Sequence, residues 1–135
     1  MVLVDSITEM AYLLPRGARV FAALGSRGLA ALAGRGDLWL TARMISPPAF
    51  TPPPRWRLLT GRAAMPRASI AAELALLRAT RAQWLLARDS AGSARLVRAA
   101  MLLGMPVLLL RVPPAPQSVP LLYDLAGVLN WLNLG

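Results

Sequence analysis

Five short apolar runs recur along this chain, at residues 18–24, 37–45, 55–61, 83–88 and 106–112. None is long enough to span a membrane, and each is long enough for a strand. Continuous apolar runs of this length read as strands buried on both faces. Between them lie stretches patterned for helices. Residues 69–80 open on Ser69 and carry Ile70, Leu74 and Leu77 at helical spacing. Residues 92–104 close on Gly104, with Leu96, Ala99, Ala100 and Leu103 on one face and Arg95 and Arg98 on the other. A shorter helix is expected at 29–34, after a turn at "GSRG", Gly25 to Gly28. The alternation predicts a Rossmann-like α/β fold: a parallel sheet of four or five strands flanked by helices. It forms a single domain over residues 1–135, with 84–87 and 107–110 among its central strands.

The ends and connectors follow local rules. Asp5 or Ser6 caps a helix over 6–14, with Glu9 in capping-box position after Ser6, and Pro15 and Gly17 stop it. Residues 46–54 hold five prolines in nine positions, so they form an extended connector. A second proline connector over 113–120 leads to a last helix over 121–132.

Composition removes several kinds of chemistry. The chain has no Cys and no His. Disulfides, thiolate nucleophiles, Cys-bound zinc and Ser-His-Asp hydrolysis are therefore excluded. The N-terminus carries Asp5 and Glu9 and no basic leader, which predicts no signal peptide and a cytoplasmic protein. Fifteen basic residues face six acidic ones, a formal net charge of +9, and every basic residue is Arg. Guanidinium forks hold carboxylates and phosphates, so an acidic ligand suits the chain. Nucleic acid is the weaker electrostatic alternative: the Arg residues are scattered and no recognition motif appears.

Three strand ends place small residues beside Arg: "LGSRG" around Gly25 and Arg27, "LTGR" at Gly61 and Arg62, and "ARDSAGS" from Ala87 to Ser93. In a parallel sheet all three loops share one rim, beyond the carboxyl ends of the strands, where ligands bind. Small residues admit a close backbone approach, and helix N-terminal amides favour an anion. The same Asp89, Ser90 and Ser93 also suit plain capping of the following helix, and the residues alone leave both readings open.

Taken in order, these segments resemble the C-terminal half of the precorrin-6A reductase family. That half has a "G-R-Q-G" turn after an early strand, and a strand ending in Arg before a proline-rich connector. A "T-x-R-G-P-F" segment, a helix with "E-x-A-L-L-R", a "T-K-D-S-G-G" loop and "G-x-P-V-x-x-x-R-R-P" follow. This chain shows "GSRG", "ARMISPP" from Ala42, "LLTGR" from Leu58 and "ELALLRATR" from Glu73. It then shows "ARDSAG" from Ala87, "LGMPVLLLRVPP" from Leu103 and "VLNWL" from Val128. It departs at Ala87, Arg88 and Ala91 within the fifth of these segments, and "AAMPRA" replaces Gly-Pro-Phe after Arg62. The family's N-terminal half, which opens with "L-G-G-T-x-E", has no counterpart in these residues.

The resemblance implies NADPH-dependent reduction of precorrin-6A, or its cobalt form, in cobalamin biosynthesis. It implies a cofactor lying in a cleft between two halves. Gly25, Arg27, Arg62, Asp89, Ser90 and Gly92 become candidate cofactor contacts, and Arg43, Arg62 and Arg88 candidate contacts to an acidic tetrapyrrole. No metal ligand and no catalytic acid is assigned. The missing half would come from a separate chain or from a second copy. The alternative is a non-catalytic domain that binds an anion or a partner.

Overall fold

The computed structural model describes residues 1–45 and 48–111. Among these lie six strands and four α-helices. The strands are β1 (Val2–Val4), β2 (Arg19–Ala23), β3 (Trp39–Met44), β4 (Arg57–Thr60), β5 (Trp84–Arg88) and β6 (Val107–Leu110). The helices are α1 (Ile7–Leu13), α2 (Gly25–Leu32), α3 (Ile70–Thr80) and α4 (Ala94–Leu102). Short 3-10 turns at Gly61–Ala64 and Ala91–Ser93 follow β4 and β5. The strands form one sheet in the order β1-β6-β5-β2-β3-β4, and every pair is parallel.

The period of two along each strand divides the core between the two faces. Val20, Leu40, Ala42, Leu86 and Leu108 face α1 and α2, where Met10, Leu14, Leu29 and Leu32 close over them. Phe21, Leu85, Ala87, Val107 and Leu109 face α3 and α4, against Leu77, Leu96, Ala99 and Ala100. Helices thus cover both faces of an all-parallel sheet, the burial that the uninterrupted apolar runs require.

The expected α/β class holds, with three corrections. The sheet has six strands rather than four or five, because Val2–Val4 pairs with β6 from Val2↔Leu108 to Val4↔Leu110. Only Val4 of that strand is buried, so three residues gave no strand pattern to read. "GSRG" is not a turn: Gly25 to Gly28 form the first turn of α2, which ends at Leu32. Gly28 serves packing. A Cβ there would lie 3.0 Å from Leu24 Cβ and 3.4 Å from Ile7 Cδ1, so its absence lets α1 approach. At α1 the expected Ser6 cap forms, and only the return bond of the capping box is displaced by one residue. Ser6 Oγ accepts from the Glu9 amide at 3.1 Å, while Glu9 Oε1 accepts from the Asp5 amide at 3.0 Å. The connector over 113–120 and the helix over 121–132 lie outside the described residues.

An Arg–Asp clamp fixes the end of the sheet where the strands begin. Arg35 donates to the main-chain carbonyls of Ala11, Leu14 and Pro15, closing the C-terminal end of α1. Its Nε and Nη2 each meet Asp37 at 2.9 Å, and Asp37 also accepts the Gly17 amide at 2.9 Å. One carboxylate therefore ties the turn before β2 to the turn before β3. The Arg35 hydrogen bonds, then the Gly17 amide, hold the Asp37 carboxyl well below the usual carboxylate range. Stability from this depressed group is complete above the ordinary Asp range and is lost as pH falls through its folded value. Asp37→Asn is expected to cost about 1–3 kcal/mol in urea unfolding at pH 7. The gap between variant and wild type should narrow below about pH 4; a gap that is constant with pH would show that the charge is not what matters.

Candidate functional site

The strand order defines a crevice. From β2 the chain passes through α2 to β3 on one side; from β5 it passes through α4 to β6 on the other. β2 and β5 are neighbours, paired from Val20↔Trp84 to Ala23↔Ala87. The loops leaving their carboxyl ends therefore diverge, and a gap opens between them. A cleft of about 340 Å³ occupies that gap.

Its walls come from four segments. Ala23, Gly25 and Ser26 form the junction of β2 with α2, and Gly92 and Ser93 lead into α4. The end of β3 supplies Arg43, Met44 and Ile45, and the segment after β4 supplies Ala64 and Pro66. Gly25 adopts φ +78°, a left-handed conformation that strains any residue with a Cβ. It lets the chain turn from strand into helix within one residue. Neither α2 nor α4 has a side-chain cap or an acidic residue in its first turn. The Ser90 and Ser93 hydroxyls lie 3.4 Å from each other, and neither caps a helix amide. Of the two readings open for this loop, side-chain capping is not the one observed. Two helix N-termini with positive dipole ends open on the cleft instead.

The residues singled out from the sequence fall at different places on this rim. Gly25, Gly92 and Arg43 line the cleft itself. Arg27 lies on the first turn of α2 and Arg62 in the 3-10 turn after β4, both exposed. Arg88 ends β5, and its Nη1 lies 4.0 Å from where a Cβ on Gly25 would stand. Asp89 and Ser90 line, with Arg88, a second recess of about 270 Å³ toward Val97 and Met101 of α4. The loop after β5 is thus shared between two hollows. The sequence reading passed over Ser26 and Ser93 as site residues, although each stands beside a glycine or a strand end at a βα junction. None of the residues lining the main cleft is acidic.

Arg43 was expected to hold a substrate carboxylate, but its fork is engaged within the protein. Nη1 meets Glu73 Oε1 at 2.8 Å and Nη2 meets Oε2 at 2.9 Å, a bidentate pair between β3 and α3. The two side chains are 6% and 1% exposed. The Arg43 guanidinium also lies over the Phe21 ring, 5.5 Å from its centroid. Glu73 was not picked out as a partner from the sequence. Its signal was there: it stands between Ile70, Leu74 and Leu77 on the apolar face of a helix, where an unpaired carboxylate is costly.

Fold and crevice together define a doubly wound parallel α/β domain with an anion-favouring site at its topological switch point. The family model described as Precorrin-6x reductase CbiJ/CobK matches residues 1–133. The chain belongs to this family. It is 36% identical over 130 residues to the precorrin-6A reductase of Rhodococcus erythropolis, an overlap of 94% of this chain and 51% of that protein. A solved structure of a CobK precorrin-6A reductase superposes with a TM-score of 0.71 at 27% identity, covering 85% of this chain and 47% of that one. The chain therefore spans about half the length of these relatives.

Removing one partner of the buried pair leaves a charge without compensation. Glu73→Ala is expected to lower stability by about 3–5 kcal/mol. The double variant Arg43→Met/Glu73→Leu should recover most of that loss in equilibrium urea unfolding. A double variant no more stable than Glu73→Ala would mean that packing, not the stranded charge, sets the cost.

Proposed function

We propose that this chain forms one half of an NADPH-dependent reductase that reduces the precorrin-6A macrocycle, or its cobalt form, in cobalamin biosynthesis. The observation that carries this reading is the crevice between β2 and β5, onto which two uncapped helix N-termini open. Such a site fits cofactor phosphates on its own geometry. Gly25 and Gly92 allow main-chain approach, no carboxylate lines the cleft, and Arg27 and Arg62 stand on the rim. Asp89 and Ser90 add hydrogen-bonding groups at the mouth of the adjoining recess.

When bound, the cofactor supplies a hydride to a double bond of the macrocycle. The residues of this chain bind and orient. Arg62 and Arg88, both exposed, are suited to the carboxylates of an acidic tetrapyrrole. Arg43, held by Glu73 and lining the cleft, gives it a rigid wall at the end of β3. The apolar side chains of Met44 and Ile45 border the same hollow on one side. The proton that completes the reduction comes from the site or from water.

The chain spans about half of each relative, and in this reading the second wall of the site comes from outside these residues, as from a separate half or a second copy. The second reading is a non-catalytic domain that binds an anion or a partner. Hydride transfer needs the reacting carbons held at about 3–3.5 Å, and a cleft with one wall does not impose that. The 135-residue chain alone is therefore expected to give little or no turnover of precorrin-6A, followed by NADPH absorbance. Adding the N-terminal half of a related enzyme should raise the rate. Rapid turnover by the monomeric chain alone would refute the half-site proposal. No turnover with the added half, and no binding of either ligand, would favour the non-catalytic domain.

A further inference from the structure

The rim where the strands begin carries a second basic hollow, about 230 Å³, which the reductase reading does not use. Arg19 at the start of β2, Arg57 at the start of β4, Arg55 just before it and Arg81 at the end of α3 all line it. Trp39, at the start of β3 and 44% exposed, stands among them. The Arg55 guanidinium lies 4.7 Å and the Arg19 guanidinium 5.6 Å from the centroid of its ring. Strand β3 runs from this hollow to the cleft, so the two sites are about 17 Å apart.

Two features go beyond a solvated basic surface. No acidic residue lines the hollow, and none of its four arginines forms an ion pair among the described residues. The three ion pairs that do form employ other arginines. Arg81 also has φ +57° at the C-terminal end of α3, a conformation that favours glycine. The residue in this conformation is an arginine, and it adds a fourth guanidinium to the hollow. The half-charge of the α3 C-terminus opposes an anion, but four full cations outweigh it.

We propose that this hollow is a binding site for a compact multivalent oxyanion, a small molecule carrying two or more phosphate or carboxylate groups. Trp39 holds Arg19 and Arg55 close together before the ligand arrives, so their forks are pre-organised for a planar or tetrahedral oxyanion. Because guanidinium groups lie over its ring, Trp39 does not offer the free stacking platform that single-stranded nucleic acid uses.

The test is an NMR titration of the 15N-labelled full chain with pyrophosphate and, separately, citrate, at about 0.15 M salt. The Trp39 indole N–H and the Nε–H signals of Arg19, Arg55 and Arg57 are expected to shift along one saturating curve. The better of the two anions identifies phosphate or carboxylate as the group recognised. Arg57→Gln should weaken that curve about tenfold, the loss of one charge-assisted contact. Arg98→Gln on α4, with the same change in net charge, should weaken it less than about twofold. Arg81→Gly separates binding from folding: its unfolding midpoint should rise, from relief of the left-handed strain, while its affinity falls. Equal weakening by Arg57→Gln and Arg98→Gln would overturn the site in favour of general charge attraction. So would shifts confined to the Gly25 and Gly92 amides, full affinity in Arg81→Gly, or a dT oligonucleotide binding this hollow more tightly than pyrophosphate at equal phosphate concentration.

Discussion

The buried pair of Arg43 with Glu73 holds together what the apolar core alone does not. On the face toward α3 and α4, most strands present aliphatic or aromatic side chains, but β3 presents Thr41 and Arg43. A guanidinium at that position is expensive in a dry interior unless a carboxylate meets it with both oxygens. Glu73 does so from the first turn of α3 and also accepts the Arg67 amide at a long 3.4 Å. The Arg67 carbonyl accepts from Arg95 of α4 at 3.1 Å. One carboxylate thus sets β3, the loop before α3 and, through Arg67, the start of α4 in one register. These segments border the cleft. Apolar contacts tolerate sliding, whereas a two-pronged ion pair accepts one arrangement, and so the pair contributes position more than net stability.

The sheet order carries the rest of the site. A parallel strand needs a crossover to its neighbour, and the apolar runs here are continuous because helices cover both faces. Once β2 and β5 are adjacent and their helices lie on opposite faces, the crevice follows without any dedicated sequence motif. Gly25 with its left-handed φ is the local device that lets α2 begin immediately after β2. Replacing it with a residue bearing a Cβ would strain the junction and move the first turn of α2 away from the cleft.

The class of fold was legible because apolar runs and capped helices are local signals. Ser69 caps α3 through the Ala72 amide, as its place before an apolar stretch indicates, and Gly104 with φ +68° follows α4. The shared rim was legible too: the loops after β2, β4 and β5 all leave the same edge, since every strand runs the same way. Other features depend on pairing that no local pattern encodes. β1 is three residues long and acquires its meaning only beside β6. "GSRG" looks like a turn because glycines break helices, but Gly28 is there for the contact with α1, a tertiary requirement. Arg43 looked like a ligand contact because a charged residue ended an apolar run. Which carboxylate meets it is decided thirty residues away in the chain.

The surplus of positive charge also takes on a physical form once the acids are located. Asp5, Asp37 and Glu73 pair with Arg111, Arg35 and Arg43, and the two less exposed pairs, those of Asp37 and Glu73, brace the frame. Much of the remainder gathers at the two ends of the strands: Arg27, Arg62 and Arg88 at one rim, Arg19, Arg55, Arg57 and Arg81 at the other. Like charges so placed repel, and the protein offsets the repulsion without carboxylates. Main-chain carbonyls accept from Arg55, Arg67 and Arg95, and the Trp39 ring receives Arg19 and Arg55. Lysine would serve poorly in these roles, because a point charge neither stacks on a ring nor donates in two directions within one plane. An all-arginine complement thus lets a small sandwich keep a positive potential at both ends of its strands while its interior carries almost no unpaired charge. An anionic ligand at either rim would meet groups already held in place, so little ordering would oppose its binding.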